Sequence, residues 1–534
     1  MSASPQQPAT DGAASSSSST SAASSSSALS SSAAGHALLG SAEAARPRAV
    51  ESFDVESSGS DDRPVVSYGL YAAAAVCSLG PFLMGFSSAF PSAARLSMLG
   101  GLTERFPGAH LPPELGVMTP AEFIAFSRMP PMGAMAGVVV SARVIERLGF
   151  RRALAMAAAL HLFGWLGIAV VASPEALIMS SAIVGLGLGL CGVAAPLYAA
   201  DLAPPGRRAL WTAAVQSGAP AGVLVAHVAS ASLAFGGVYR LPVVDWRCLA
   251  LVGVAAALAS FGILAAPESP RWLARQGRTA EAMEALRRLR NRRSAGEDAI
   301  ISSVAAQAST WTDARRRRHL WDHRKVLAMT SICLAFQHFA GFELILDNMS
   351  DIVAPYGDLP AVDGCITRAL LTHLSFALLG SVLVIPVGCR LLIQVGAGMM
   401  SAGHFGVALL HHSRQSSLNE DMTFFSIFLA VIGHAIGVGL IPWVLLADKF
   451  PGEVALEAGA IATFIGWFSA TCAGMFPREV RDLVGDIRLP FLSSAICLVF
   501  MLFVASVFED DKPPSWPRRC TPWVWRQPPP PVPR

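Results

Sequence analysis

Apolar runs of about 20 residues recur along most of this 534-residue chain. That is the length an α-helix rising about 1.5 Å per residue needs to cross a hydrocarbon layer of roughly 30 Å. Inside lipid no water satisfies free backbone groups, so such segments are restricted to helices or closed barrels, and runs this long and continuous read as helices. Twelve spans are expected near 67–93, 121–143, 151–172, 176–200, 211–235, 246–266, 326–350, 366–388, 391–412, 422–447, 456–476 and 489–508. The second carries Arg128, Pro130, Pro131 and Arg143, and the ninth ends in His411 and His412. Composition agrees: 53% of residues are hydrophobic and 14% charged, whereas a water-exposed surface needs roughly a quarter or more charged residues. The expected fold class is an all-α membrane protein embedded in a lipid bilayer, with both termini on one side.

Charge distribution orients it. The formal net charge of +3 names no nucleic-acid partner. The segment 267–325, however, carries fourteen Lys/Arg against seven Asp/Glu, while 351–365 holds only acidic charges. By the positive-inside tendency the basic segment, the links at Arg147, Arg151 and Arg152 and at Arg207 and Arg208, and both tails are cytoplasmic. The expected organisation is a Ser-rich disordered tail at 1–66, six helices at 67–266, a basic linker at 267–325, six helices at 326–508 and a Pro-rich tail at 509–534. The span at 67–93 is expected to act as a signal anchor, with no cleaved leader. Within the linker, Thr279 is expected to cap a short helix with Met283, Leu286 and Leu289 on one face, and Arg287, Arg288 and Arg290 around the rest. It reads either as an amphipathic helix under the membrane or as a linker whose charges set topology; Arg315–Arg318 reads the same way. Nine scattered cysteines form neither a disulfide framework nor a metal spacing. No phosphate loop, nucleophile with a base or metal constellation is present, so neither an enzyme nor a cofactor is expected.

Six spans, a basic connector and six more suggest two bundles around a midplane site, the plan of alternating-access carriers. PESPRWL at Pro267–Leu273 resembles the signature closing the sixth helix of the sugar porter family of the major facilitator superfamily. PLYAADLAPPGRRALWTAAVQ at 196–216 resembles its P-x-Y-x-x-E-x-x-P-x-x-x-R-G segment, with Asp201 for Glu and Ala209 for Gly. ERLGFRR at 146–152, Trp246-Arg247 and GLIPW at 439–443 are similar to further family segments. GFSSAFPSA at 85–93 looks like a form seen in intracellular glucose, insect trehalose and plant vacuolar branches. The resemblance implies a cytoplasmic ionic lock built from Glu146, Arg147, Arg151, Asp201 and Arg208, with simple topology charge as the competing reading for the arginines. In the second half Arg390 and Asp448 remain, but Ile385-Pro386 and Ala455 replace lock charges, so that lock is expected to be broken or built differently.

A sugar presents hydroxyls and an apolar ring face, so its site needs neutral amides and an aromatic platform. Gln216, Gln337 and Trp443 match the family's sugar contacts. Other positions have changed: His338 and His373 stand for amides, Glu343 for an asparagine, Asp347-Asn348 for paired tyrosines, and Gly466 and Ala470 for helix 11 asparagines. His338, Glu343 and Asp347 are expected to share one helix; Glu343 reads either as a proton or cation site deeper in the membrane or as a solvated end group. Ser87 replaces the aspartate of proton-coupled relatives, which favours facilitated diffusion. The leading expectation is a carrier of a hexose or small polyol; a proton-coupled carrier of a non-sugar solute and a non-transporting sensor stand beside it. The sequence names neither the membrane nor the oligomeric state.

Overall fold

A computed structural model describes residues 67–99, 117–204, 206–235, 245–290, 301–302, 305–306, 313–353, 359–412, 417–475 and 489–507. The expected tails at 1–66 and 509–534, and the side chains of Asp347, Asn348 and Arg315–Arg317, lie outside what is described. In the first half run α1 (Tyr68–Cys77), α2 (Leu79–Leu99), α3 (Pro120–Leu148), α4 (Phe150–Val170), α5 (Pro174–Leu202), α6 (Arg208–Gln216), α7 (Gly218–Phe235) and α8 (Asp245–Ser260). The linker contributes α9 (Pro270–Arg275), α10 (Thr279–Leu289) and α11 (Asp313–Asp322). The second half contains α12 (Arg324–Phe339), α13 (Phe342–Val353), α14 (Leu359–Val387), α15 (Cys389–His412), α16 (Ser417–Gly433), α17 (Ile441–Asp448), α18 (Ala455–Met475) and α19 (Leu489–Val507).

Local chemistry sets many of the boundaries. Thr119 and Glu122 form a reciprocal capping box ahead of α3, with Pro120 in the first turn. Ser173 caps α5 and Ser269 caps α9, each followed by proline. Gly149, at φ +88°, turns the chain between α3 and α4, a conformation that disfavours any residue with a Cβ. Thr279, expected as a cap, is instead the first residue of α10; Arg278 holds the cap position and pairs with Glu281 at 2.5 Å. Arg290, expected on the solvated face, is buried and donates to the Leu202 carbonyl at 3.0 Å.

Backbones approach where glycine leaves room. Gly133 and Gly137 of α3 face Ala182 and Leu186 of α5, while Gly185 and Gly189 of α5 face Pro130 and Ala134 of α3. A Cβ at any of these would run into a main-chain carbonyl of the facing helix, the small-xxx-small logic of helix pairing in lipid. Two hydrophobic cores result, one around Phe86, Trp165 and Tyr198, the other around Met400, Ile427 and Cys497. They interlock: Trp443, Leu446 and Trp467 join the first, and Ala213 and Val223 join the second.

Among the described residues, 11 helical stretches are long and apolar enough to cross a membrane. The segment 326–350, expected as a crossing, is not among them: it forms two shorter helices, α12 and α13, because Gly341 at φ +81° breaks the hydrogen-bond ladder. The tenth crossing is also irregular. A π turn at His434–Val438 precedes α17, where Pro442 supplies no N–H to the preceding turn.

Candidate substrate site and gating contacts

Gln216 ends α6 and is 5% exposed, yet its Oε1 accepts no hydrogen bond from a described protein group. Gln337, near the end of α12, donates through Nε2 to the Gly439 carbonyl at 3.5 Å, and its buried Oε1 is likewise unmatched. Both helices pack on α17, which carries Trp443 as its third residue. The Trp443 ring, the Trp467 indole nitrogen and the Thr463 methyl converge on Gly192 of α5, the glycine leaving the space they border. Trp467 Nε1 and Thr463 Oγ1 are buried without partners among the described residues, and the His338 ring lies 6.4 Å from that of Trp467. An isolated buried polar atom typically costs about 1–3 kcal/mol. Two buried carbonyl acceptors, and a separate group of two donors beside two indoles at Gly192, on helices from both halves, are the kinds of groups that suit a neutral ligand rich in hydroxyls.

Not every expected residue joins this group. His338 and Glu343, expected on one continuous helix, sit on either side of the Gly341 break, and the break lets them meet at 3.4 Å. The Glu343 side chain is 55% exposed. His373 lies in the second core: its Nε2 is 3.0 Å from Nδ1 of His434, and its ring packs on Phe342. Trp467 and Thr463 were not singled out from the sequence, although their i, i+4 spacing puts an indole and a hydroxyl on one face of α18 beside the altered Gly466 and Ala470.

Of the expected lock residues, Arg208 interacts electrostatically with Asp201 and Asp448, and further contacts surround them. Asp201 accepts from Ser269 Oγ at 2.7 Å and pairs with Arg271 at 3.7 Å, both within the PESPRWL motif. Arg151 is held through its backbone: Glu268 accepts from the N–H groups of Phe150 and Arg151 at the start of α4 and from its own neighbour Ser269. Burial pushes the Glu268 carboxyl above its usual range, only partly opposed by those hydrogen bonds. Glu146 and Arg147 are exposed on the last turn of α3, where the Glu146 carbonyl accepts from Trp272 and Gln276. Arg208 bridges the halves, donating to Ala200 and Ala447 carbonyls. Arg390 donates to the Ala505 carbonyl at 2.6 Å, and exposed Asp448 ends α17. Glu268, Ser269 and Arg271 lay in a motif quoted from the sequence, which gave no sign of whom they bind.

Two interlocked helical cores, eleven long apolar helices and an unmatched polar group between the halves define a multi-pass membrane carrier of the major facilitator fold. The chain belongs to the sugar (and other) transporter family, whose model matches residues 73–509. Sugar transporter ERD6-like 7 of Arabidopsis thaliana is 28% identical over 433 residues, covering 78% of this chain and 86% of that protein. Facilitated trehalose transporter Tret1 of Drosophila virilis is 24% identical over 455 residues, covering 83% of this chain and 47% of that protein. Among solved structures, the proton:xylose symporter XylE bound to 6-bromo-6-deoxy-D-glucose superposes with a TM-score of 0.70 at 20% identity, over 82% of this chain and 95% of that one; it is a protein of E. coli. That likeness establishes the fold.

Proposed function

We propose that this protein carries a hexose or related small polyol across a membrane by alternating access, without chemical transformation of the cargo. One observation carries the reading: the Gln216 and Gln337 carbonyl oxygens, on helices of opposite halves that both pack on α17, are buried with no donor among the described residues. Substrate hydroxyls supply those donors, Trp443 and Trp467 offer apolar faces to the ring, and Trp467 Nε1 and Thr463 Oγ1 donate in return. The sugar transporters among the relatives support the same cargo class. Rocking of the halves then exposes the site to each side in turn, with Arg208, Asp201, Ser269, Arg271 and Glu268 holding the end that bears the basic loops. Tails and linker face the cytoplasm in this reading.

Ser87 in place of a helix 1 acid and the 55% exposure of the Glu343 side chain favour facilitated diffusion. The test is uptake by proteoliposomes against a panel of labelled sugars and polyols. A uniporter stops at equal concentrations and ignores an imposed pH gradient. Accumulation driven by an inward proton gradient, and lost in Glu343→Gln, would establish coupling instead; no saturable uptake of any sugar or polyol would remove the cargo assignment.

A further inference from the structure

Trp321 is the one tryptophan among the described residues that is largely exposed, at 69%. It occupies the last turn of α11, three residues before α12 begins. The guanidinium of Arg324 lies over its ring at 5.6 Å, and the same side chain donates to the Trp321 carbonyl. Arg318, one turn earlier, and Lys325 are also exposed. Among the described residues no carboxylate pairs with Arg318, Arg324 or Lys325; the exposed Asp322 is the single acid described beside them.

The direction of this cluster follows from the helix it leads into. Leu320, Val326 and Leu327 pack against the first core, so one side faces protein. Lys325, Ala328, Ile332 and Phe339 of α12 are exposed at intervals of three, four and seven residues, a single stripe on the other side, and Trp321 is exposed just ahead of it in the last turn of α11. Ile332 and Phe339 are large apolar side chains left uncovered by protein, at 42% and 44% exposure, the kind of surface that a membrane or a partner covers. Lys325 stands seven residues from Ile332, about 10 Å at the helical rise. The exposed side thus runs from apolar side chains to a basic, aromatic end, the order in which tryptophan and basic residues are favoured at headgroup depth.

We propose that Arg318, Trp321, Arg324 and Lys325 form a binding surface for anionic phospholipid headgroups. Cations meet the phosphate and any second anionic group, the indole rests among glycerol and carbonyl groups, and Arg324 is held in place by its own contact with the ring. This goes beyond the carrier reading and is measured without any cargo, so either can fail alone.

The test uses the full chain in vesicles of phosphatidylcholine with a minority of phosphatidylserine, one or the other brominated to quench tryptophan emission on contact. Subtracting the emission of W321F isolates Trp321. We expect Trp321 to be quenched more by brominated phosphatidylserine than its mole fraction explains, and the preference to fall roughly tenfold in R318Q/R324Q/K325Q. Raising salt on the wild-type chain, which needs no variant to fold, should lower it too. Quenching in proportion to mole fraction, or a preference untouched by both salt and the triple variant, overturns the proposal. Quenching by neither lipid does so as well, because it shows that protein covers this face.

Discussion

The guanidinium of Arg208 on α6 donates to the main-chain carbonyl of Ala447 on α17 at 3.1 Å, while its Nε reaches Ala200 at the end of α5 at 3.3 Å. An arginine that resembles a lock charge is also a two-ended donor to backbone here, tying the first half to the second within electrostatic reach of Asp201 and Asp448. Carbonyl oxygens near a helix C-terminus lack intrahelical partners and carry the negative end of the dipole, which makes them good acceptors for a planar cation.

Removing that tie should loosen the contact between the halves. In Arg208→Ala, a reporter cysteine at Ala447 should react with a thiol reagent at least roughly fivefold faster, the equivalent of losing about 1–3 kcal/mol of charged hydrogen bonding. Arg208→Lys, which keeps the charge but not the fork, should fall between. Equal labelling rates in all three would show that the bond does not hold this interface.

Transport affinity should report on the two amides. Gln216→Ala and Gln337→Ala are each expected to weaken the half-saturating cargo concentration roughly five- to 150-fold, corresponding to about 1–3 kcal/mol for a lost buried partner. Gln337→Ala frees the Gly439 carbonyl as well, so a thermal melt must accompany the exchange assay to separate folding from binding. Unaltered affinity in both variants takes these residues out of the site.

Glu268 makes a pH prediction. Its carboxyl titrates above the unfolded value of about 4.3 because burial disfavours the charge. The folded chain then holds the proton more tightly than the unfolded chain. The stability this contributes is complete below the unfolded pKa and is lost as pH rises through the raised folded one. Wild-type melting temperature should fall across that window, and Glu268→Gln should lose this component of the slope while keeping an acceptor for Phe150, Arg151 and Ser269. Parallel profiles for the two proteins would contradict the assignment.

Gly341→Ala tests the break between α12 and α13. The backbone at φ +81° disfavours an L side chain, and the added Cβ would meet Ser493 Oγ at 2.5 Å and His404 Nε2 at 2.9 Å. Left-handed strain alone costs about 1–2 kcal/mol, so a clear drop in melting temperature is expected. If Gly341→Ala melts like the wild type, the break is not held by this residue.

His338 and His373 show where reading the sequence stopped. Both stand at positions where the family resemblance places amides, but His338 lies beside Trp467, whereas His373 is paired with His434 in the second core. Resemblance supplies a position along a helix. The direction of a side chain depends on that helix's rotation and on where neighbouring helices break, as the π turn at His434–Val438 and the turn at Gly341 do here.

The helical membrane class and most of the crossings were legible in the sequence, because hydrocarbon thickness imposes a length and a polarity on each span independently of the others. Capping by Ser173 and Ser269 and the turn at Gly149 are local too, yet the one cap expected from the sequence, Thr279, is the first residue of its helix instead. What the tertiary structure decided is partnership. Glu268 reaches Arg151 across 117 positions, Asp201 meets Ser269 across 68 and Arg208 meets Ala447 across 239. Such pairs exist only after glycine-mediated helix packing has brought the strips together, and nothing in local pattern records which carboxylate faces which donor.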